Sequence, residues 1–323
     1  MSSRINQMET CEVVRTEAAY RSADRLTVIH AMIWRPRDKK EKVRGIVQIC
    51  HGMSEYKERY DDFACFLASH GFLVACNDHL GHGDSVVGDS RYGYFAKKDG
   101  NGCLIADIHR LRTELQRRYP EKPYLMLGHS MGSFLLRQYI TLYGEGLSGA
   151  VIMGTGSPKA FSVFLGMGLC QVMALFRGWH HRSRLLVLMT SGAYNRQFKH
   201  TKTPVDWLSK VESVSREFCS NPRSSFSFTL NGYYNMFRGI RSMQRKKNMR
   251  RIPKSLPLLL VSGAEDPVGD NGRGVIAAYQ AYAGIGVRHI QGKLYKNDRH
   301  EILNESDRET VYRDILRWLE KCL

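Results

Sequence analysis

A serine, an acid and a histidine, in that chain order, are the residues of this sequence best placed to do chemistry. Ser130 stands at the centre of Gly128-His129-Ser130-Met131-Gly132, directly after the apolar run Tyr124–Leu127 and directly before the helix-period segment Met131–Leu142. A serine hydroxyl is a weak nucleophile until a base takes its proton, and that base needs a partner that fixes its orientation. The pentapeptide alone is a weak signal, because short glycine-serine patterns recur by chance. Its setting adds weight: a strand that turns sharply into a helix lifts a serine oxygen to the carboxyl edge of a sheet. Gly128 and Gly132 suit such a turn, where neighbouring backbone leaves no room for side chains. The first helical turn also offers N–H groups and a positive dipole end to an oxyanion.

Of the twelve histidines, His300 in Lys296–Glu301 is the candidate base. It falls in a polar loop between the last expected strand and the last expected helix, at the same edge of a parallel sheet. The acid is expected between serine and histidine, after another strand. Leu256–Gly263 runs into Ala264-Glu265-Asp266-Pro267-Val268-Gly269-Asp270, which makes Asp266 the candidate, with Glu265 and Asp270 as local competitors. Two N–H groups are needed for an oxyanion hole. Met131 would supply one, and Met53, in the loop Cys50–Glu55 after an early strand, the other. His51 and Gly52 then shape that loop. His79 and His82 look ligand-like but lack a completing metal set, so neither a metal nor a cofactor is expected.

The elements that must position these residues alternate along the first half. Gly45–Cys50, Phe72–Cys76, Tyr124–Leu127 and Ala150–Met153 read as short buried strands. Tyr60–Ser69, Leu104–Arg118 and Met131–Leu142 read as helices. The alternation predicts an α/β fold: a mostly parallel sheet with helices on both faces and right-handed crossovers. The pattern breaks after Gly156 and resumes at Leu256–Gly263, followed by Gly272–Gly284 as a helix and Gly286–Leu294 as a strand. Ser306–Leu319 closes the chain as an amphipathic helix, with Ser306 as the expected cap and Glu309 at capping-box spacing. One catalytic domain, residues 1–156 plus 255–323, with a largely helical cap at 157–254, is the economical division.

The charge is concentrated in that cap. The 323 residues carry a net charge of +17. Thr155–Lys254 holds eighteen Lys and Arg against three acids, a net of +15, which leaves about +2 for the rest. Within it, Ala160–Phe176 is a seventeen-residue stretch without a charge, read as a buried or interfacial cap helix rather than a membrane span. Arg177, Trp179, His180, His181, Arg182 and Arg184 follow at once. Apolar and basic residues side by side suit peripheral contact with an anionic membrane surface. A second basic cluster, Arg241–Lys254, lacks any nucleic-acid module, so nucleic acid is not expected as a partner. The polar opening twenty residues and eight scattered cysteines without metal spacing point to a cytoplasmic protein. Oligomeric state is not legible.

Together the segments GIVQICHGMSEYKERY, NDHLGHGDS, GHSMGS, SGAEDPVGD and NDRHEILNE resemble the α/β-hydrolase superfamily, and within it the monoacylglycerol lipase and lysophospholipase-like branch, especially its bacterial members. The resemblance spans the catalytic domain nearly end to end; in the cap only His200–Lys210 is similar. It implies Ser130 as nucleophile, Asp266 as acid, His300 as base, and Met53 and Met131 as oxyanion donors. It also implies a cap that shapes an acyl pocket for single-chain lipid esters. Tyr56 departs from the pattern, since related sequences often carry histidine there. A carboxylesterase or aminopeptidase-like hydrolase of small substrates is the alternative within enzymes. A catalytically idle binding protein docking through the basic cap is the alternative outside them.

Overall fold

The computed structural model describes residues 13–37, 43–88 and 91–323. Cys11 and the first twelve residues of the polar opening stretch lie outside the described residues. The sheet begins with two strands that sequence periodicity left unassigned, β1 (Val13–Arg21) and β2 (Val28–Pro36), paired antiparallel as a hairpin. Asp24 builds its turn by accepting the N–H groups of Leu26 and Thr27, both at 2.8 Å. The remaining strands are β3 (Gly45–Cys50), β4 (Phe72–Asn77), β5 (Tyr124–His129), β6 (Gly149–Met153), β7 (Leu258–Gly263) and β8 (Ile290–Tyr295). Their order is β1-β2-β4-β3-β5-β6-β7-β8. From β4 to β8 every pair is parallel, so the carboxyl ends of β3, β5, β7 and β8 share one edge.

β3 to β7 are buried on both faces, which is why they read as unbroken apolar runs. Helices α2 (Gly100–Arg118), α3 (Met131–Tyr143) and α9 (Arg273–Gly284) cover one face through Leu104, Leu135 and Tyr282. Helices α1 (Asp61–Ser69) and α10 (Arg308–Glu320) cover the other through Phe63, Val311 and Ile315. The capping box expected at Ser306 and Glu309 does not form. Asp307 stands at the N-cap without a side-chain capping bond, and Glu309 instead pairs with Arg313 at 2.7 Å, one turn on.

Between β6 and β7 lie α4 (Ala160–Arg177), α5 (Arg184–Thr190), α6 (Glu212–Ser220), α7 (Leu230–Gln244) and the short α8 (Lys246–Met249). This insertion is not packed as a separate body. Phe228, Tyr233, Phe237 and Met243 belong to the same apolar cluster as α2 and α3, and the Asn235 side chain accepts the N–H of Asn101 at 3.0 Å. α4 rests on α7 so closely that a Cβ at Gly166 would come 2.7 Å from the Phe237 ring. Its other face is bare: Phe161, Leu175 and Phe176 are 75%, 82% and 81% exposed. The uncharged stretch is therefore not a buried helix: one face packs on α7 and the other is exposed.

Candidate active site

The chain leaves β5 at His129 and enters α3 at Met131 with a single residue between them. Ser130 makes that turn at φ 52°, ψ −120°, a conformation that costs a non-glycine residue energy unless its surroundings hold it. Both flanking glycines are required by contact. A Cβ at Gly132 would sit 1.9 Å from the carbonyl oxygen of Cys50, and one at Gly128 would sit 2.4 Å from that of Gly132. The Ser130 N–H is held by the Met153 carbonyl at 3.0 Å, which ties the elbow to β6.

His300 follows β8 and is buried. Its Nδ1 lies 2.9 Å from Oδ1 of Asp266, in the turn after β7. The Asp266 carboxylate also accepts from the Ser262 hydroxyl at 2.8 Å and the Val268 N–H at 2.9 Å. Burial pushes its pKa up, but the His300 imidazole and these two donors outweigh that and hold the carboxyl below its ordinary value. The two competitors point elsewhere: Glu265 is exposed, and Asp270 is exposed and paired with Arg273 at 2.7 Å. Of the three acids, the fold brings Asp266 alone to the histidine.

Ser130, His300, Met53 and Met131 all line one cavity of about 720 Å³ beneath the insertion. Met131 is the first residue of α3, so its N–H has no acceptor within the helix. The Met53 loop is folded back by Glu55, whose carboxylate accepts the Gly52 N–H at 2.7 Å.

Glu55 is the centre of a buried network that the sequence pattern did not disclose. It accepts the Tyr60 hydroxyl at 2.6 Å and pairs with His129 Nδ1 at 3.1 Å. His129 Nε2 lies 3.3 Å from the carbonyl oxygen of His300. Burial alone would lower the His129 pKa, but the Glu55 carboxylate reverses this and raises it; in return His129 holds Glu55 far below its ordinary value against the burial that would raise it. One ion pair thus joins the Met53 loop, the strand before Ser130 and the loop of His300. Beside it, Arg59 grips Glu301 through both carboxylate oxygens, at 2.8 and 2.6 Å.

The insertion is bonded to the histidine loop as well. His300 N–H donates to the Trp207 carbonyl at 3.4 Å and Glu301 N–H to that of Leu208 at 2.7 Å. Lys210 pairs with Asp298 at 2.7 Å, and the Trp207 ring lies 5.1 Å from that of His300. Tyr56 takes a related role. Its hydroxyl accepts from Asn221 at 2.7 Å and its ring carries the Arg223 guanidinium at 4.1 Å, so it anchors the insertion beside the cavity.

Residues 41–307 match the family described as serine aminopeptidase, S33. The chain belongs to this family and has the α/β-hydrolase fold. It is 25% identical over 300 residues to a monoglyceride lipase homolog of monkeypox virus, covering 90% of this chain and 94% of that one. It is 22% identical to a monoacylglycerol lipase of Mycolicibacterium smegmatis, covering 94% and 97%. Among solved structures, a thermostable carboxyl esterase from Bacillus coagulans in complex with glycerol is similar with a TM-score of 0.87 at 28% identity, covering 95% of this chain and 98% of that one.

Removing one member of a buried ion pair leaves the other charge uncompensated, at about 3–5 kcal/mol. Glu55→Ala is therefore expected to lower the unfolding free energy at pH 6 by roughly that amount, read from urea midpoints. The Glu55 contribution is full above its ordinary pKa of 4.5 and fades as pH falls toward the depressed folded value. The His129 contribution is full below its ordinary 6.5 and fades as pH rises through the raised folded value. The gap between the two proteins should be widest between these limits and narrow on both sides; a gap independent of pH would contradict the pairing.

Proposed function

We propose that the chain is a serine ester hydrolase of single-chain lipid esters with a neutral headgroup, monoacylglycerols above all. His300 takes the Ser130 proton as Oγ adds to the ester carbonyl, and the displaced electron pair settles on the carbonyl oxygen. The Met53 and Met131 N–H groups bind that oxyanion, each donor contributing about 3–4 kcal/mol in comparable sites. Collapse of the adduct breaks the ester C–O bond, and His300 gives its proton to the departing alcohol. Water, deprotonated by His300, then releases the fatty acid from the acyl-enzyme, while Asp266 keeps the imidazole in the required tautomer.

The observation that carries the substrate class is the lining of the cavity. At about 720 Å³ it falls in the range of sites that enclose a ligand of lipid or drug size. Its walls include Phe134, Val187, Leu208, Phe218 and Met236, and among the described residues no lysine or arginine lines it. A phosphate headgroup would enter without a counter-charge, an expensive desolvation, whereas a glycerol needs only hydrogen-bonding partners. Ser191, Asn195 and Ser225 are among those available. An aminopeptidase reading finds less support, because a substrate ammonium needs a free carboxylate. Among the described residues Glu55 is the acidic one on the lining, and Gly52, Tyr60 and His129 already occupy it. The names of the similar monoglyceride lipases support the same reading.

Fatty-acid release should be compared for monoacylglycerol and lysophosphatidylcholine of equal chain length, beside short aryl esters, with Ser130→Ala as control. The expected result is preference for monoacylglycerol over lysophospholipid by at least about tenfold in kcat/KM, a rate that rises with acyl length, and no turnover by the control. Equal use of both lipids would overturn the headgroup assignment, and turnover of short esters alone would overturn the lipid assignment.

The bare face of α4 extends this reading to the membrane. Phe161, Phe164, Leu175 and Phe176 are followed along the chain by Leu185, Leu188 and Met189 of α5, all exposed. Val187 and Thr190 of the same short helix line the cavity, so the exposed residues of α5 stand on an element that also borders the cavity of Ser130. Arg177 and Arg184 flank it, and Arg241 lies 5.8 Å over the Phe164 ring at the head of the exposed basic run through Arg251. Arg182 does not join this rim, since it donates to the carbonyls of Tyr92 and Ser227. An anionic bilayer contributes about 1 kcal/mol for each such cation near its surface. Vesicles containing phosphatidylserine should sediment the protein at low salt and release it at high salt. Leu175→Glu with Phe176→Glu should abolish sedimentation while short-ester hydrolysis persists; undiminished sedimentation would contradict this face.

A further inference from the structure

The oxyanion loop contains a second histidine with a defined task, an inference that rests on the roles of Ser130 and Met53 proposed above. His51 follows β3 and is fully buried behind the loop. Its Nδ1 lies 2.8 Å from the carbonyl oxygen of Gly52, and its Nε2 accepts the N–H of His79 at 2.9 Å. These two backbone partners settle the tautomer. A peptide N–H can only donate, so Nε2 is bare; a peptide carbonyl can only accept, so Nδ1 carries the proton. Burial further disfavours a second proton on this ring.

The Gly52 carbonyl belongs to the same peptide unit as the Met53 N–H. No cis bond occurs among the described residues, so the C=O and N–H of that unit point in opposite directions. Holding the oxygen against His51 therefore aims the Met53 N–H away from the buried ring, to the side where Met53 and Ser130 line the cavity. A carbonyl that accepts a hydrogen bond also polarises its peptide and strengthens the N–H as a donor. The peptide on the other side of Gly52 is held by Glu55, so both planes flanking the glycine are fixed. Gly52 has to lie flat against the nucleophile, since a Cβ there would come 3.0 Å from that of Ser130. The rings of His79 and His82, at 4.2 and 5.1 Å, pack His51 in place.

We propose that His51 is a positioning residue for acyl transfer: as its Nδ1–H tautomer it orients and polarises the Gly52–Met53 peptide, so that this N–H meets the oxyanion formed at Ser130.

Three substitutions separate this role from simple core filling. An asparagine amide nitrogen can stand where Nδ1–H donates; a glutamine reaches the place of Nε2; a phenylalanine fills the space with neither. Each variant is measured for kcat and KM with a soluble aryl ester. Each is also measured for inhibition by a trifluoromethyl ketone, which adds Ser130 as a stable tetrahedral oxyanion. His51→Phe and His51→Gln should lose about 10²-fold in kcat with KM within about threefold, and the inhibition constant should rise in step. His51→Asn should recover at least about tenfold of that loss. Loss of kcat with an unchanged inhibition constant, or equal impairment of the asparagine and glutamine variants, would overturn the proposal. If His51→Phe does not fold, the asparagine and glutamine pair carries the test. Failure of a fluorophosphonate to label Ser130 in the parent protein would instead bring down the nucleophile assignment itself.

Discussion

Everything at the candidate site hangs on one close approach, that of the first turn of α3 to the end of β3. Gly132 lies so near the Cys50 carbonyl that no side chain fits between them. That contact lets the chain turn from strand to helix across one residue and holds Ser130 in a backbone conformation it would not adopt freely. The same contact brings the loop after β3 beside the helix start, which is where two N–H groups must converge for an oxyanion. A larger residue at Gly132 would separate serine from loop, and the remaining parts of the site would have nothing to act upon.

Around this contact the protein solves a desolvation problem. The cavity is walled largely by apolar side chains, yet the groups beside it are polar and partly charged. Glu55, His129, Asp266 and His300 are all nearly inaccessible to water. Each is tolerated because it is paired: Glu55 with His129, Asp266 with His300. The Glu55 pair serves geometry in addition, since one carboxylate holds the loop after β3 through Gly52 while its partner touches the backbone of His300. The insertion takes part in the same arrangement. With His300 and Glu301 bonded to Trp207 and Leu208, the segment around Trp207 is as much a wall of the histidine loop as a part of the cap.

The sequence disclosed what depends on local periodicity and on chain order. Buried parallel strands are short apolar runs, so β3 to β7 were legible to within a few residues. Ser130, Asp266 and His300 were legible because each follows a strand at the edge where such strands end. What stayed hidden was non-local. β1 and β2 are half-exposed and lack a continuous apolar run, so their pairing shows only in three dimensions. Glu55 and His129 are 74 positions apart, and neither spacing nor composition announces their contact. Trp207 lies in an irregular stretch whose role comes from a loop 93 residues later. The basic run after Trp179 misled in one respect, because charge on paper is not charge on the surface: Arg182 is spent on backbone carbonyls. Ser306 and Glu309 carry the spacing of a capping box, but Glu309 takes Arg313 instead.

The proposed reaction turns on one event, the acylation of Ser130 during turnover. Rapid acid quenching of the protein with a long-chain aryl ester, followed by peptide mass mapping, reads this directly. An acyl adduct is expected on the peptide that carries Ser130, formed within one turnover, absent in Ser130→Ala and lost on further incubation as fatty acid appears. Ester cleavage at an undiminished rate without any adduct on that peptide, or with the serine replaced, would contradict it.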